Sequence, residues 1–145
     1  SYNETLTNLD FLKKLKKIKS LNITLDEGYR SSKNVENLDV IKNFNALETL
    51  VLRGIPAEIN LDFLLDCKGL KFLILDFNKN KETIINLECL RNCSLLEKLI
   101  LNNIGELNIE GKISDINQLN GLENLRTLKI EDIIISGIND KVFIK

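Results

Sequence analysis

The chain has 145 residues, 20 basic and 21 acidic side chains, no His, Trp or Met and a single Pro. At 43% hydrophobic and 28% charged it belongs to the globular class, with a length that suits one domain spanning 1–145 and able to bury a core without staples. A net charge of −1 argues against a dedicated nucleic-acid binder, uninterrupted apolar runs of three or four residues are too short to span a bilayer, and the missing His removes both the commonest general base and the commonest zinc ligand.

In chain order, the dominant feature is a repeat. Segments starting at Asn8, Asn37, Asn60, Asn86 and Asp115 lie 29, 23, 26 and 29 residues apart. Counted from each start, positions +1, +4, +7, +10, +13 and +15 are apolar in every segment. The first gives Leu9, Leu12, Leu15, Ile18, Leu21 and Ile23, and the fourth gives Leu87, Leu90, Cys93, Leu96, Leu99 and Leu101. A step of three from +1 to +10 suits a 3₁₀-like turn, in which residues i and i+3 eclipse. The step of two from +13 to +15 marks a strand with one buried face. Each unit is therefore expected to form a short helical turn and then a short strand. The Asn and Asp starts are N-cap residues, and Asp10, Asp39, Asp62 and Glu88, two positions later, suit the positive end of a helical turn. A bundle of amphipathic helices is the rival reading, but its stripe would advance by 3.6 residues and not switch to alternation.

The run Leu96-Glu97-Lys98-Leu99-Ile100-Leu101, with Leu47–Leu52, Leu70–Leu75 and Leu125–Ile130, resembles the LxxLxL core of leucine-rich repeats, and Ile113–Leu125 resembles the short repeats of internalin-type bacterial proteins. The resemblance covers roughly residues 8–132. It implies an α/β right-handed solenoid of about five coils, with a parallel sheet on the concave face and short helical turns on the convex face. The family's Asn after the last strand Leu is replaced here by Asp26, Ile55, Ile104 and Ile133, and kept only as Asn78. Apolar packing is therefore expected where the family has an amide ladder. Tyr2 and Leu6 are the only apolar capping residues at the start. Residues 133–145, with Ile133-Ile134-Ile135 and Val142-Phe143-Ile144, could close the last coil or begin a further repeat.

Chemistry is sparse. Cys67 and Cys93 occupy the +7 column and Cys89 the +3 column, so all three are expected to be small core residues rather than a redox pair or metal site. Free core thiols and the absence of a visible signal segment point to the cytoplasm, with a fragment of a secreted or surface protein as the alternative. Lys13, Lys14, Lys16 and Lys17 form the one basic cluster and are expected on the solvated side of the first coil, the alternative being a patch for an acidic partner. No phosphate-binding glycine motif occurs, and no cofactor, metal or catalytic residue is expected.

Positions +12, +14 and +16 alternate with the buried strand residues and should point away from the core. The +14 column reads Asn22, Val51, Ile74, Ile100 and Lys129, apolar at its centre and polar at both ends, with Phe72 alongside. Val and Ile also simply suit strands. An aligned apolar patch with a polar rim nevertheless points to a non-enzymatic module that binds a protein through this face, as an inhibitor, immunity or scaffold protein. Val51, Phe72, Ile74 and Ile100 would be its anchors, while Arg53, Asp76, Lys98 and Asn102 would fix register and exclude wrong partners. The other reading is a structural module that homo-oligomerises through its apolar stripe or C-terminal end. A monomer with one foreign protein partner, and neither nucleic acid nor membrane insertion, is the expectation.

Overall fold

A computed structural model of the chain describes residues 9–25, 38–56, 59–78, 86–103, 116–130 and 133–136. The class is α/β, its helical part consisting of short 3₁₀ turns. Turns η1 (Asp10–Lys14), η2 (Leu38–Asn43), η3 (Asp62–Asp66), η4 (Leu87–Leu90) and η5 (Ile116–Gly121) alternate with strands β1 (Ser20–Thr24), β2 (Thr49–Ile55), β3 (Phe72–Phe77), β4 (Lys98–Asn102) and β5 (Thr127–Ile130). These five strands lie side by side in chain order, all parallel. A sixth, β6 (Ile133–Ser136), pairs antiparallel with β5.

The turn-then-strand expectation holds in all five units. The period-three residues close i→i+3 hydrogen bonds: Leu12 N donates to Leu9 O, Leu64 N to Leu61 O and Leu122 N to Leu119 O, each at 3.0 Å. The backbone N–H of each +7 residue then donates to the +4 carbonyl, as from Cys67 to Leu64 at 3.0 Å and Cys93 to Leu90 at 2.9 Å. Every third side chain thus faces the same way, and that face is the core. Two capping residues are described. Asn60 Oδ1 accepts from Asp62 N (2.7 Å) and Asn86 Oδ1 from Glu88 N (2.9 Å), which satisfies amides that the short turns leave over. The other starts, Asn8, Asn37 and Asp115, lie outside the described residues, as do Tyr2, Leu6, Asp26, Ile104 and residues 142–144. The first-turn carboxylates also pair forward with bases three residues on: Asp10 with Lys13 (2.8 Å), Asp39 with Lys42 (3.9 Å) and Glu88 with Arg91 (2.6 Å).

The strands stack in an uninterrupted register, Leu21–Leu50–Leu73–Leu99–Leu128 and Ile23–Leu52–Leu75–Leu101–Ile130. From Leu50 and Leu52 onward these columns are buried. The three cysteines are free and buried, as small core residues should be. Cys67 Sγ lies 3.5 Å from Phe63 O, and Cys93 Sγ reaches back to Leu64 O of the preceding unit (3.4 Å). Burial pushes Cys67 up to about 11 and Cys89 and Cys93 up to about 12, because a thiolate is poorly solvated there. Ile55, three residues after Leu52, is fully buried, so apolar packing occupies that position in the second unit. Asn78 donates its backbone N–H to Ile55 O (2.8 Å), while its Oδ1 is buried without a hydrogen-bond partner.

The first unit departs from the repeat pattern. Leu15, in a column otherwise filled by buried Phe44, Cys67, Cys93 and Leu122, is 49% exposed. Phe11, whose counterparts Val40, Phe63 and Cys89 are buried, is 54% exposed, and Ile18, Leu21 and Ile23 are only half-buried. The physical reason is position. These columns are covered from both neighbouring units, and η1 and β1 have a described neighbour on one side only. At the opposite end, Ile133–Ser136 pair antiparallel with β5. Two residues separate β5 from β6, and so short a link joins antiparallel strands, whereas a parallel pair needs a long crossover.

Candidate functional site: the open face of the sheet

Alternation along each strand places one column in the core and the next on the face away from the turns. The three outward columns are in register. Ser20, Thr49, Phe72, Lys98 and Thr127 form the first, Asn22, Val51, Ile74, Ile100 and Lys129 the second, and Thr24, Arg53, Asp76 and Asn102 the third. All eight candidate residues, Val51, Arg53, Phe72, Ile74, Asp76, Lys98, Ile100 and Asn102, therefore fall on three adjacent strands, β2 to β4. Neighbouring strands lie about 4.8 Å apart, so the three apolar residues of the middle column form one continuous strip.

Exposure is graded across this surface. Phe72 is 41% exposed and Lys98 is exposed, whereas Val51, Ile74, Ile100, Arg53, Asp76 and Asn102 are half-buried. The alternation suggests full exposure for Ile74 and Ile100. In-register neighbours on both sides cover their flanks, and only the outer edge of each side chain meets solvent. Ser20, Asn22 and Thr24, on the edge strand β1, are exposed by the same logic.

The polar rim is partly held in place. Arg53 Nη1 donates to Asn22 Oδ1 on the neighbouring strand (2.8 Å), which fixes the guanidinium across the β1–β2 boundary. Asp76 Oδ1 accepts from Asn103 Nδ2 (2.5 Å), and Asn103 itself takes a left-handed conformation, φ 56°, just past β4. This Asn tolerates αL through its short polar side chain, and the hydrogen bond ties the end of β4 to β3. The result is a surface with an apolar centre and a pre-positioned Arg and Asp on one border, able to bury a complementary apolar surface and orient it by charge.

A second set of residues escapes a reading based on apolar columns. Position +11, just before each strand, reads Lys19, Glu48, Lys71, Glu97 and Arg126, a strict alternation of charge. Glu48 lies between two bases, with Oε2 3.3 Å from Lys71 Nζ and Oε1 4.0 Å from Lys19 Nζ. Backbone bonds run along the same row, from Glu48 N to Lys19 O, Lys71 N to Glu48 O, Glu97 N to Lys71 O and Arg126 N to Glu97 O, each at 2.8 Å. The alternation was present in the sequence, one column before the strand leucines. Like charges directly opposed on adjacent strands are destabilising, so this row favours the observed neighbours.

Among the described residues no group of three His, Cys, Asp or Glu side chains could hold a metal ion, and no helix is long and apolar enough to cross a membrane. No protein-family model matches the chain, and no curated protein is significantly similar to it in sequence.

Proposed function

We propose that this chain is a leucine-rich-repeat solenoid, right-handed and of about five coils, that binds a protein partner through the concave face of its sheet and performs no catalysis. The single observation that carries the reading is the in-register strip Val51–Ile74–Ile100, flanked by Phe72 and bordered by Arg53, Asp76, Lys98 and Asn102. Scattered strand-formers would not align on three successive strands, and an aligned apolar centre with a polar rim is how protein interfaces are built. Repeated turn–strand units with buried leucines at LxxLxL spacing support the family reading, as do the buried Ile and Cys residues at columns where each unit packs on the next. In this reading the partner presents an apolar centre that covers Ile74 and Ile100, an acidic group for Arg53 or Lys98, and a donor for Asp76.

Site-specific photocrosslinking tests it. A benzophenone side chain placed at Phe72, on the sheet face, should yield one discrete crosslinked protein in the source cells. The same group at Leu95, 46% exposed before β4 and outside the candidate patch, should yield none. Crosslinks from Leu95 alone would overturn the assignment of the face. Crosslinking of Phe72 to a second copy of this chain would favour self-assembly through the stripe.

A further inference from the structure

The apolar strip at the centre of the sheet face runs across the strands, one residue per strand. Val51, Ile74 and Ile100 are in register on β2, β3 and β4, so they follow one another at about 4.8 Å and span about 9.6 Å. Along an α-helix one turn rises about 5.4 Å, and residues i and i+7 on one face lie about 10.5 Å apart. In an extended segment same-face residues step by about 6.8 Å, and two steps cover about 13.6 Å. A helix laid across the strands therefore keeps pace with the strip, and an extended segment does not. Main-chain pairing decides the same way. β2, β3 and β4 each have a strand on both sides, so their N–H and C=O groups are directed along the sheet and not out of its face. An extended segment lying there would leave its own backbone groups unpaired against apolar side chains, whereas a helix satisfies them internally.

Charge on this face is uneven. The described residues of the outward columns include three bases, Arg53, Lys98 and Lys129, against one acid, Asp76. Arg53 and Asp76 are register partners on adjacent strands, and each is already hydrogen-bonded, to Asn22 and Asn103. Lys98 and Lys129 have no ion-pair partner among the described residues. Lys98 precedes Ile100 on the same face of β4, and Lys129 is the register partner of Ile100 on β5. The two ammonium-bearing side chains are thus diagonal neighbours, rooted about 7–8 Å apart at one end of the strip. We infer that the sheet face takes an amphipathic α-helix of a partner protein, laid across β2 to β5, with apolar side chains over Val51, Ile74 and Ile100 and carboxylates one turn further on, against Lys98 and Lys129. This rests on the reading of the face as the docking surface and adds the shape and charge of what docks. A second copy of the chain is disfavoured as the occupant, because two such faces would bring together lysines with no acid to meet them.

The probe is a fluorescent alanine-rich peptide held helical by a hydrocarbon staple on its far side, with leucine at i, i+4 and i+7 and glutamate at i+8, i+10 and i+11. It should bind the intact protein saturably, as read by fluorescence anisotropy, and Ile74→Lys should weaken it. Lys98→Glu combined with Lys129→Glu should cost about tenfold in affinity, and a peptide with lysine in place of its glutamates should show the opposite preference. If circular dichroism shows that the doubly acidic variant is unfolded, Lys98→Gln with Lys129→Gln serves instead and should cost about threefold. An unstapled peptide with two prolines on its far side keeps the leucines and glutamates but loses the helix, and should bind at least about tenfold more weakly. Absence of saturable binding, binding that ignores the lysine substitutions, or equal binding of the proline peptide would each overturn the inference. So would concentration-dependent dimerisation of the wild type that is lost on Ile74→Lys, which would assign the face to a second copy. The protein crosslinked at Phe72 separates this failure from that of the underlying reading. Binding of that protein lost on Ile74→Lys but intact on Lys98→Glu with Lys129→Glu would overturn the acidic helix and leave the docking face standing, whereas indifference to Ile74→Lys would remove the docking face itself.

Discussion

Gly54 lies directly against the backbone carbonyl of Leu25. Its φ is +70°, and a Cβ built there would overlap the Leu25 oxygen and sit 3.2 Å from the carbonyl carbon. The contact arises because Leu25 N donates to Arg53 O (2.8 Å), which draws the end of β1 onto β2 where the β2–β3 register shifts between Arg53 and Ile55. The irregularity lets Ile55, two residues after the outward-facing Arg53, turn into the core, where simple alternation would point it outward.

Gly54→Ala should therefore destabilise the protein by at least about 2 kcal/mol, from a strained backbone and an overlap with main chain that cannot yield. Gly121→Ala is the contrast: nothing lies within 4 Å of its Cβ and its φ is ordinary, so the change should be neutral or stabilise by up to about 1 kcal/mol. Urea denaturation of the two variants beside wild type checks both.

Leu73→Ala and Leu99→Ala should each destabilise by about 2–5 kcal/mol, because both side chains are fully buried between two neighbouring strands. Leu15→Ala should cost less than about 1 kcal/mol, although Leu15 occupies a repeat column as regular as theirs, because half its surface already meets water. Equal losses at Leu15 and Leu73 would mean that the first unit is covered in solution.

The cysteines make stability depend on alkaline pH. Their thiols titrate at about 11, 12 and 12 when folded, above the ordinary value of 9.0, so between these limits the unfolded chain binds fewer protons than the native one. Stability from this source is complete below about pH 9 and is lost as pH rises toward 12. Thermal unfolding should move to lower temperature over that range, and replacing all three cysteines by Ala should flatten the dependence. At pH 8, a thiol reagent should react slowly with the folded protein and count three thiols once it is unfolded.

Much of this was legible in the chain. The period-three and period-two steps gave the order of turn and strand, because each follows from which side chains eclipse or alternate, and stacking in register followed from identical spacing. What escaped was set by neighbours rather than by spacing. Leu15 and Phe11 have core sequence positions and solvent-exposed surfaces, and among the described residues their unit has a neighbour on one side only. Ile74 and Ile100 are less exposed than strict alternation suggests because Val51 and each other shield their flanks. The Lys19–Glu48–Lys71 row was visible as charge alternation but lay outside columns chosen for apolarity. The antiparallel turn of Ile133–Ser136 depended on the length of a connection, which apolar content does not encode.

That shielding changes what substitution on the sheet face should cost. Ile74→Lys and Ile100→Lys should each destabilise by about 1 kcal/mol, more than a change at an exposed position such as Ser20→Lys, which should stay within about 0.5 kcal/mol. The long aliphatic stem of Lys can follow the strip while its ammonium reaches water, which keeps the loss modest and the variants folded. Denaturation midpoints of the three variants give the comparison directly.

The affinity of the crosslinked partner for wild type and for Ile74→Lys, measured by calorimetry with both proteins shown to be folded, tests the central claim most directly. An anchor at the centre of a desolvated strip should lose about 2 kcal/mol or more on this change, a weakening of about thirtyfold, while Ser20→Lys at the polar edge should leave affinity within about twofold. A folded Ile74→Lys variant that binds the partner as tightly as wild type would contradict binding through the sheet face.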